Sequence, residues 1–413
     1  MEHDNPEVIT AAEDILTRRY GGTQKLLDAT RLTGSGFAEV YRARVATNPF
    51  LQHRSVVVKQ SPRTGDVLED SAFLREVVAY QFTTSLSEEV RPGPFLLGYD
   101  TKQRLIIISD SGDGDTLETL LAAAGDEDRV QILRTLGSAL GRMHVGTAGR
   151  EADFDALLAR MMRSRESQRQ VQGLRERLLM HRIRLGLSMV EESGIAIPPE
   201  VAQAAEKMHT RLLNGSHRAF TPFDLSPDNI IYAGRTEFLD YEWAGFRDAT
   251  FDVGFVVGGF PNYVATRQIS DDEAQAFLDA WVHEVETIWP AVRHEDTLHD
   301  LVSGALLGWA LSSVSILNVT DLDELGVAGE ALTEDVSAAG ADLDTVVSPG
   351  ESLEILGDVL RPRSEGPFTK DEILVRRDLY ETFDALARYC ALGRAPSCPV
   401  MSEWACSVAQ RLK

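Results

Sequence analysis

The sequence predicts an α+β fold of two lobes, a small antiparallel β-rich N-terminal lobe with one key helix and a larger, mainly helical C-terminal lobe. Three observations predict it. Short β-branched and apolar runs are concentrated between Arg31 and Ile108 and are interrupted by a single helical stretch. Beyond that point apolar residues recur at helical spacing. The chain of 413 residues, 43% hydrophobic and 25% charged, is also long enough to bury a sizeable core in two such bodies.

Taken in order, residues 1–30 read as helical and peripheral. Strand-like runs follow at Glu39–Val45 and Ser55–Lys59, the second with three consecutive valines before Lys59. Asp70–Ser85 reads as a helix with Phe73, Val77, Tyr80 and Gln81 at helical spacing, and two more strands lie near Phe95–Tyr99 and Arg104–Ile108. Ser109–Gly112 then links the lobes, which divides the chain into residues 1–110 and 111–413. In the second part Val130–His144 carries Ile132, Leu133, Leu136, Leu140 and Met143 along one face. Helical texture returns at Asp371–Leu392 and Ser402–Leu412 and closes the larger lobe. Leu301–Thr320 is free of charge and long enough to span a bilayer, but its serines and Asn318 make it a core helix rather than a lipid-facing one.

Composition narrows the function. The net charge of 41 − 64 = −23 argues against nucleic acid as the main partner, because a phosphate backbone demands basic surface. The N-terminus is acidic and has no apolar run of the signal-peptide kind. Three cysteines, Cys390, Cys398 and Cys406, form neither a disulfide framework nor a zinc pattern and read as reduced thiols of a cytoplasmic protein. Two segments depart from the average charge. Asp155–Leu187 carries Arg160, Arg163, Arg165, Arg169, Arg175, Arg177, Arg182 and Arg184 against Glu166 and Glu176, either a solvated helix face or a docking surface for an anionic partner. Residues 321–372 hold fourteen acids and three bases and read as an acidic insertion or lid.

The chemistry is concentrated in Phe220–Glu242. Asp224 sits in a Pro-containing loop, Asn229 follows five residues later, and Asp240 ends a short apolar run. Phosphoryl transfer needs a carboxylate to orient and deprotonate the attacking hydroxyl, and hard oxygen ligands for Mg²⁺. Asp224 supplies the first and Asn229 with Asp240 the second, while Glu242 is an additional metal-side or supporting carboxylate. The D-L-x-P-x-N spacing followed by a strand ending in Asp resembles the catalytic and metal-binding segments of the protein-kinase-like fold. The run from Leu239 to Gly254, L-D-Y-E-W-A-G-F-R-D-A-T-F-D-V-G, resembles more closely the aminoglycoside phosphotransferase and choline kinase family.

That resemblance implies ATP and Mg²⁺ between the lobes, with adenine at Ser109–Gly112. Gly34, Ser35 and Gly36 would cover the phosphates, although the third glycine of the protein-kinase loop is missing. Lys59 would pair with the α- and β-phosphates, positioned by Glu76 or, in another helix register, by Glu69. Asp252 matches a family aspartate that braces the catalytic loop. The family pattern has His two residues before the base; here Pro222 stands there. Three functions therefore remain open: an O-phosphotransferase acting on a small molecule such as an aminoglycoside, amino alcohol or sugar; a peptide or protein Ser/Thr kinase, such as one that activates precursor-peptide hydroxyls in lanthipeptide-type biosynthesis; and a non-catalytic nucleotide-binding scaffold.

Overall fold

A computed structural model describes residues 5–32, 38–65, 67–263, 267–318 and 359–413. The glycine loop 34–36 and most of the acidic stretch 321–372 lie outside the described residues. The N-terminal part is a five-stranded antiparallel sheet in the order β1-β2-β3-β5-β4, formed by β1 (Leu26–Leu32), β2 (Glu39–Val45), β3 (Ser55–Gln60), β4 (Leu96–Asp100) and β5 (Leu105–Ser109). Alternation along β3 decides what each face does. Val56 and Val58 are fully buried with Tyr41, Leu105 and Ile107 on one face, so Val57 and Lys59 point to the other.

Each face is covered by a helix. Val8, Ala12, Ile15 and Leu16 of α1 (Pro6–Tyr20) close the first, so this helix belongs to the core and not to the periphery, and Leu26–Leu32 is a strand rather than part of a helical N-terminus. Helix α2 (Val67–Thr84) closes the second face with Phe73, Val77, Val78 and Tyr80, and it runs past Lys59.

The remainder is mainly helical: α3 (Leu117–Ala123), α4 (Asp126–Thr147), α5 (Glu151–Met161), α6 (Glu166–Glu192), α7 (Pro199–Asn214), α8 (Thr250–Val257), α9 (Asp271–Val285), α10 (Glu295–Asn318), α11 (Lys370–Ala391) and α12 (Ser397–Leu412). Small ribbons are set among them. The strand β6 (Asp115–Thr116) pairs with β8 (Ile230–Tyr232), which pairs with β9 (Thr236–Phe238), while β7 (Arg218–Thr221) pairs with β10 (Gly245–Asp248).

The charge-free stretch is α10, whose Val302, Ala305, Leu306, Leu307, Ala310, Leu311 and Val314 are all fully buried. Ser303 and Ser315 return their hydroxyls to helix carbonyls, which lets polar residues sit in an apolar environment. Among the described residues no helix is long and apolar enough to cross a membrane. Helix α6 lies directly against α10: a methyl on Gly186 would run into the Leu311 carbonyl, so only glycine permits this approach.

Candidate active site

Two short ribbons bring the chemical residues together. Pairing of Thr221 with Gly245 sets the loop that leaves β7 beside the loop that enters β10. Pairing of Ile230 with Phe238, continued by the Leu239 N–H to the Asn229 carbonyl at 2.8 Å, sets Asn229 beside Asp240. Asp224, Asn229, Asp240 and Glu242 are thus gathered by two hairpins rather than by sequence proximity.

Two of the turns have an unusual backbone. Phe223 and Asp240 have φ of 68° and 54°, a region that residues with a Cβ rarely adopt. Strain of this kind persists only where the surroundings hold it. Phe223 is so held: its ring lies 4.9 Å from Trp309 of α10, and the Arg247 guanidinium sits 4.6 Å from the ring centre.

The Asp224 carboxylate accepts from the Ser226 backbone N–H at 3.1 Å and from its hydroxyl at 2.5 Å. The Asn229 side-chain NH₂ donates to the other oxygen at 3.4 Å, which leaves the side-chain Oδ1 of Asn229 for another partner. Burial raises the Asp224 pKa, the Ser226 hydrogen bonds offset part of that, and nearby Asp240 and Asp228 push it up further.

The Lys59 ammonium, at the end of β3, lies 2.9 Å from Glu76 Oε1 and 2.9 Å from Asp240 Oδ1. Burial alone would lower the Lys59 pKa, but the Asp240 and Glu76 carboxylates more than offset it and hold it well above the ordinary value. Burial holds Glu76 up at about 7 against the pull of Lys59, and raises Glu242 as well, with Asp240 adding to both. One turn after Glu76, Tyr80 packs against Tyr241 with ring centres 4.8 Å apart and planes tilted by 59°, and its hydroxyl meets the Asp240 backbone. Tyr80 therefore fixes the Asp240 turn, a role hidden in the sequence because the residue reads as one more apolar position on α2.

Of the expected site residues, Lys59, Glu76, Asp224, Asn229 and Asp240 converge. Glu69 also lies on α2, and Glu76 reaches Lys59. Burial and the neighbouring Asp240 carboxylate raise the Glu242 pKa, and among the described residues no group of three His, Cys, Asp or Glu side chains is placed to hold a metal ion. The linking segment is tied from both sides. Asp110 accepts from Arg42 of β2 at 2.6 Å, and the Ser111 hydroxyl donates to Glu237 of β9 at 2.5 Å.

Asp252 is buried in α8, yet its partner is His144 of α4 at 3.3 Å and its Oδ1 has no hydrogen bond. The Trp281 indole N–H donates to His144 Nδ1 at 3.0 Å. An indole can only donate, so Nδ1 is the acceptor and Nε2 carries the proton given to Asp252. Sequence reading missed His144 and Trp281 because each looks like an ordinary core position on an apolar helix face.

The basic stretch divides the same way. Arg175 is buried, donating to the Leu68 and Glu242 carbonyls. Arg165 bonds the Met161 carbonyl and Thr101, and Arg184 pairs with Glu206. Arg182 is half-buried and has neither a hydrogen bond nor an ion pair among the described residues, and burial alone pulls its pKa down to about 10.

A family profile described as the phosphotransferase enzyme family matches residues 50–294, more than half of the chain. No curated protein matches it. Solved structures similar to it include an ADP-bound aminoglycoside phosphotransferase, at 13% identity over 84% of this chain and 100% of the other with a TM-score of 0.41. A choline kinase from Cryptosporidium parvum aligns at 12% identity over 84% and 98% with a TM-score of 0.45. A choline kinase from Streptococcus pneumoniae aligns at 13% over 80% and 99% with a TM-score of 0.40. With the family profile spanning β3 to α9, the chain belongs to the phosphotransferase enzyme family, and its five-stranded antiparallel N-terminal sheet with a mainly helical remainder is the α+β fold class that the sequence predicts.

Proposed function

We propose that this protein is an ATP- and Mg²⁺-dependent O-phosphotransferase that moves the γ-phosphoryl group to a hydroxyl of a small molecule. The observation that carries the reading is the convergence of Lys59 and Glu76 on Asp240, which stands beside Asn229 and, through the Asn229 amide, Asp224. In this reading the lobes meet near residue 110, and Gly34, Ser35 and Gly36 cover the phosphates on sequence grounds. Asn229 and Asp240 would hold Mg²⁺, which when bound offsets charge on the phosphates.

Asp224 orients the acceptor hydroxyl and takes its proton as the oxygen–phosphorus bond forms and the bond to the β,γ-bridging oxygen breaks, releasing ADP. A carboxylate raised in pKa is the better proton acceptor for this step. Lys59, kept charged by two carboxylates, steadies the departing phosphates. Free thiols at Cys390, Cys398 and Cys406 suit a cytoplasmic setting where ATP is supplied.

A second reading, an acceptor bearing an anionic group such as an acidic peptide, is favoured by Arg182. It lies two helical turns, roughly 10 Å, along α6 from Arg175, which touches the Glu242 backbone. An arginine without a partner in a chain of net charge −23 needs a reason, and an anion on the acceptor supplies one.

Nucleotide consumption with MgATP and MgGTP against aminoglycosides, amino alcohols, sugars and Ser- or Thr-containing peptides decides among these readings. A phosphoester on a small alcohol supports the first. A phosphopeptide whose formation weakens in Arg182→Gln supports the second. Nucleotide binding without turnover on any acceptor, water included, would leave the protein a non-catalytic scaffold, the reading that Pro222 keeps open.

A further inference from the structure

The basic helix α6 does something the cleft residues alone do not. Three of its side chains reach the small-lobe helix α2 on one face. Arg175 donates to the Leu68 carbonyl at 2.7 Å, Gln172 donates to the Ser71 carbonyl at 2.9 Å and accepts from Arg75 Nε at 2.7 Å, and Glu176 lies 2.6 Å from the Arg75 guanidinium. Residues 68, 71 and 75 follow helical spacing, so α2 presents one edge to α6 while Glu76, the next residue, turns toward Lys59.

Glu176 has a second partner. Its two oxygens also accept from Arg247 of β10, at 2.9 and 3.1 Å. Arg247 donates onward to the Trp243 carbonyl at 2.7 Å and packs on the ring of Phe223, the strained residue just before Asp224. Arg75 reaches the same segment through the Ala244 carbonyl at 2.9 Å. One carboxylate therefore sits between two buried guanidinium groups, one adjoining the lysine–glutamate pair and the other adjoining the catalytic loop.

We infer that Glu176 is a positioning residue: through Arg75 and Arg247 it ties the nucleotide-side helix α2 to the acceptor-side loop, so that the distance between Lys59–Glu76 and Asp224 is set by α6 before substrates arrive. The inference rests on the assignment of Lys59, Glu76 and Asp224 made above. Swinging α2 away from Lys59 would strip Arg75 of Glu176, Gln172 and the Ala244 carbonyl at once, and a buried guanidinium left without partners is strongly unfavourable. The helix that reads from sequence as a solvated face or a docking surface is thus, over residues 172–176, an internal strut.

The test uses the full-length protein and ADP release from MgATP with water as acceptor, alongside affinity for a non-hydrolysable ATP analogue and the thermal midpoint. Arg75→Met cuts the α2 leg while leaving Glu176 paired to Arg247, so the fold has no unpaired charge to accommodate; Glu176→Gln cuts both legs. Arg75→Met should lower the ADP-release rate by about tenfold or more, the scale expected from a small misplacement of reacting groups. In a Glu76→Gln background the same change should cost little further, because the leg it cuts already leads nowhere.

Equal fold-losses in both backgrounds, accompanied by a matching fall in thermal midpoint, would make Arg75 and Glu176 merely structural and overturn the inference. So would an Arg75→Met protein with the wild-type rate. Should Glu176→Gln fail to fold, the Arg75→Met pair still decides. Asp224→Asn measured beside them separates the two levels. If it releases ADP normally, the active-site assignment falls and takes this inference with it. If it is inactive while the Arg75 and Glu76 losses multiply, only the strut is wrong.

Discussion

Lys59 and Asp240, 181 residues apart in sequence, meet with the ammonium nitrogen 2.9 Å from Oδ1, and Glu76 lies equally close on the other side. Two carboxylates share one cation in a buried site. Replacing Lys59 by Met removes the group that offsets both. MgATP turnover should fall by about 10²–10³-fold, the scale for losing one preorganised charged donor at a reacting phosphoryl group. Turnover within a few-fold of wild type would mean that the phosphates are held elsewhere.

Asp240 serves Lys59 through one oxygen and, in the proposed reading, Mg²⁺ through its carboxylate. Asp240→Ala should therefore weaken binding of a non-hydrolysable ATP analogue in the presence of Mg²⁺. With the metal chelated, mutant and wild type should differ much less. Calorimetry in the two conditions checks this, and equal affinity with Mg²⁺ present would move the metal away from Asp240.

Glu76 gives a pH dependence whose sign can be worked out. Burial holds its carboxyl at about 7 in the fold, above the ordinary 4.5. Its ion pair with Lys59 needs the ionised form, so turnover should decline as pH falls through about 7. Stability runs the other way. A carboxyl raised on folding contributes stability that is present below its unfolded value and lost as pH rises through the folded one. Glu76→Gln should therefore lose less stability than wild type between about pH 5 and pH 8, read from denaturant midpoints. Parallel stability curves would show that Glu76 is not the titrating group.

The Trp281–His144–Asp252 chain is a buried hydrogen-bond network that, among the described residues, makes no hydrogen bond to Lys59, Glu76, Asp224, Asn229 or Asp240. Trp281→Phe keeps the ring and removes the donor, leaving His144 Nδ1 without a partner. The expected loss is about 1–3 kcal/mol of stability, with nucleotide affinity unchanged. Urea unfolding and analogue titration measure the two separately. A large affinity loss at unchanged stability would place this network in the binding site.

How much of this was legible beforehand depends on whether a signal is local. Lys59 at the end of a valine run and the Asp224–Asn229–Asp240 spacing are local patterns, and all four residues come together with Glu76. The strands of the N-terminal sheet were readable from Glu39 onward. Leu26–Leu32 was not, because its exposed Asp28, Thr30 and Arg31 give it the texture of a surface segment. Tyr80 shows in the sequence only as a position at helical spacing, and His144 and Trp281 carry no signal of their own, because their hydrogen bonds depend on partners far away in sequence. The arginines of α6 misled most, since a run of like charge reads as solvated surface, whereas Arg175 is internal and meets carbonyls from two distant segments. Charge in sequence does not reveal which guanidinium will be buried.

In the proposed reaction Asp224 takes the proton from the acceptor. Asp224→Asn keeps the size of the side chain and its hydrogen bond to Ser226 but removes the proton acceptor. The most direct measurement is the single-turnover rate of this variant with saturating MgATP, beside its affinity for the non-hydrolysable analogue. The account predicts a rate loss of order 10²–10⁴-fold with analogue affinity close to wild type. A rate near that of the wild type would contradict it.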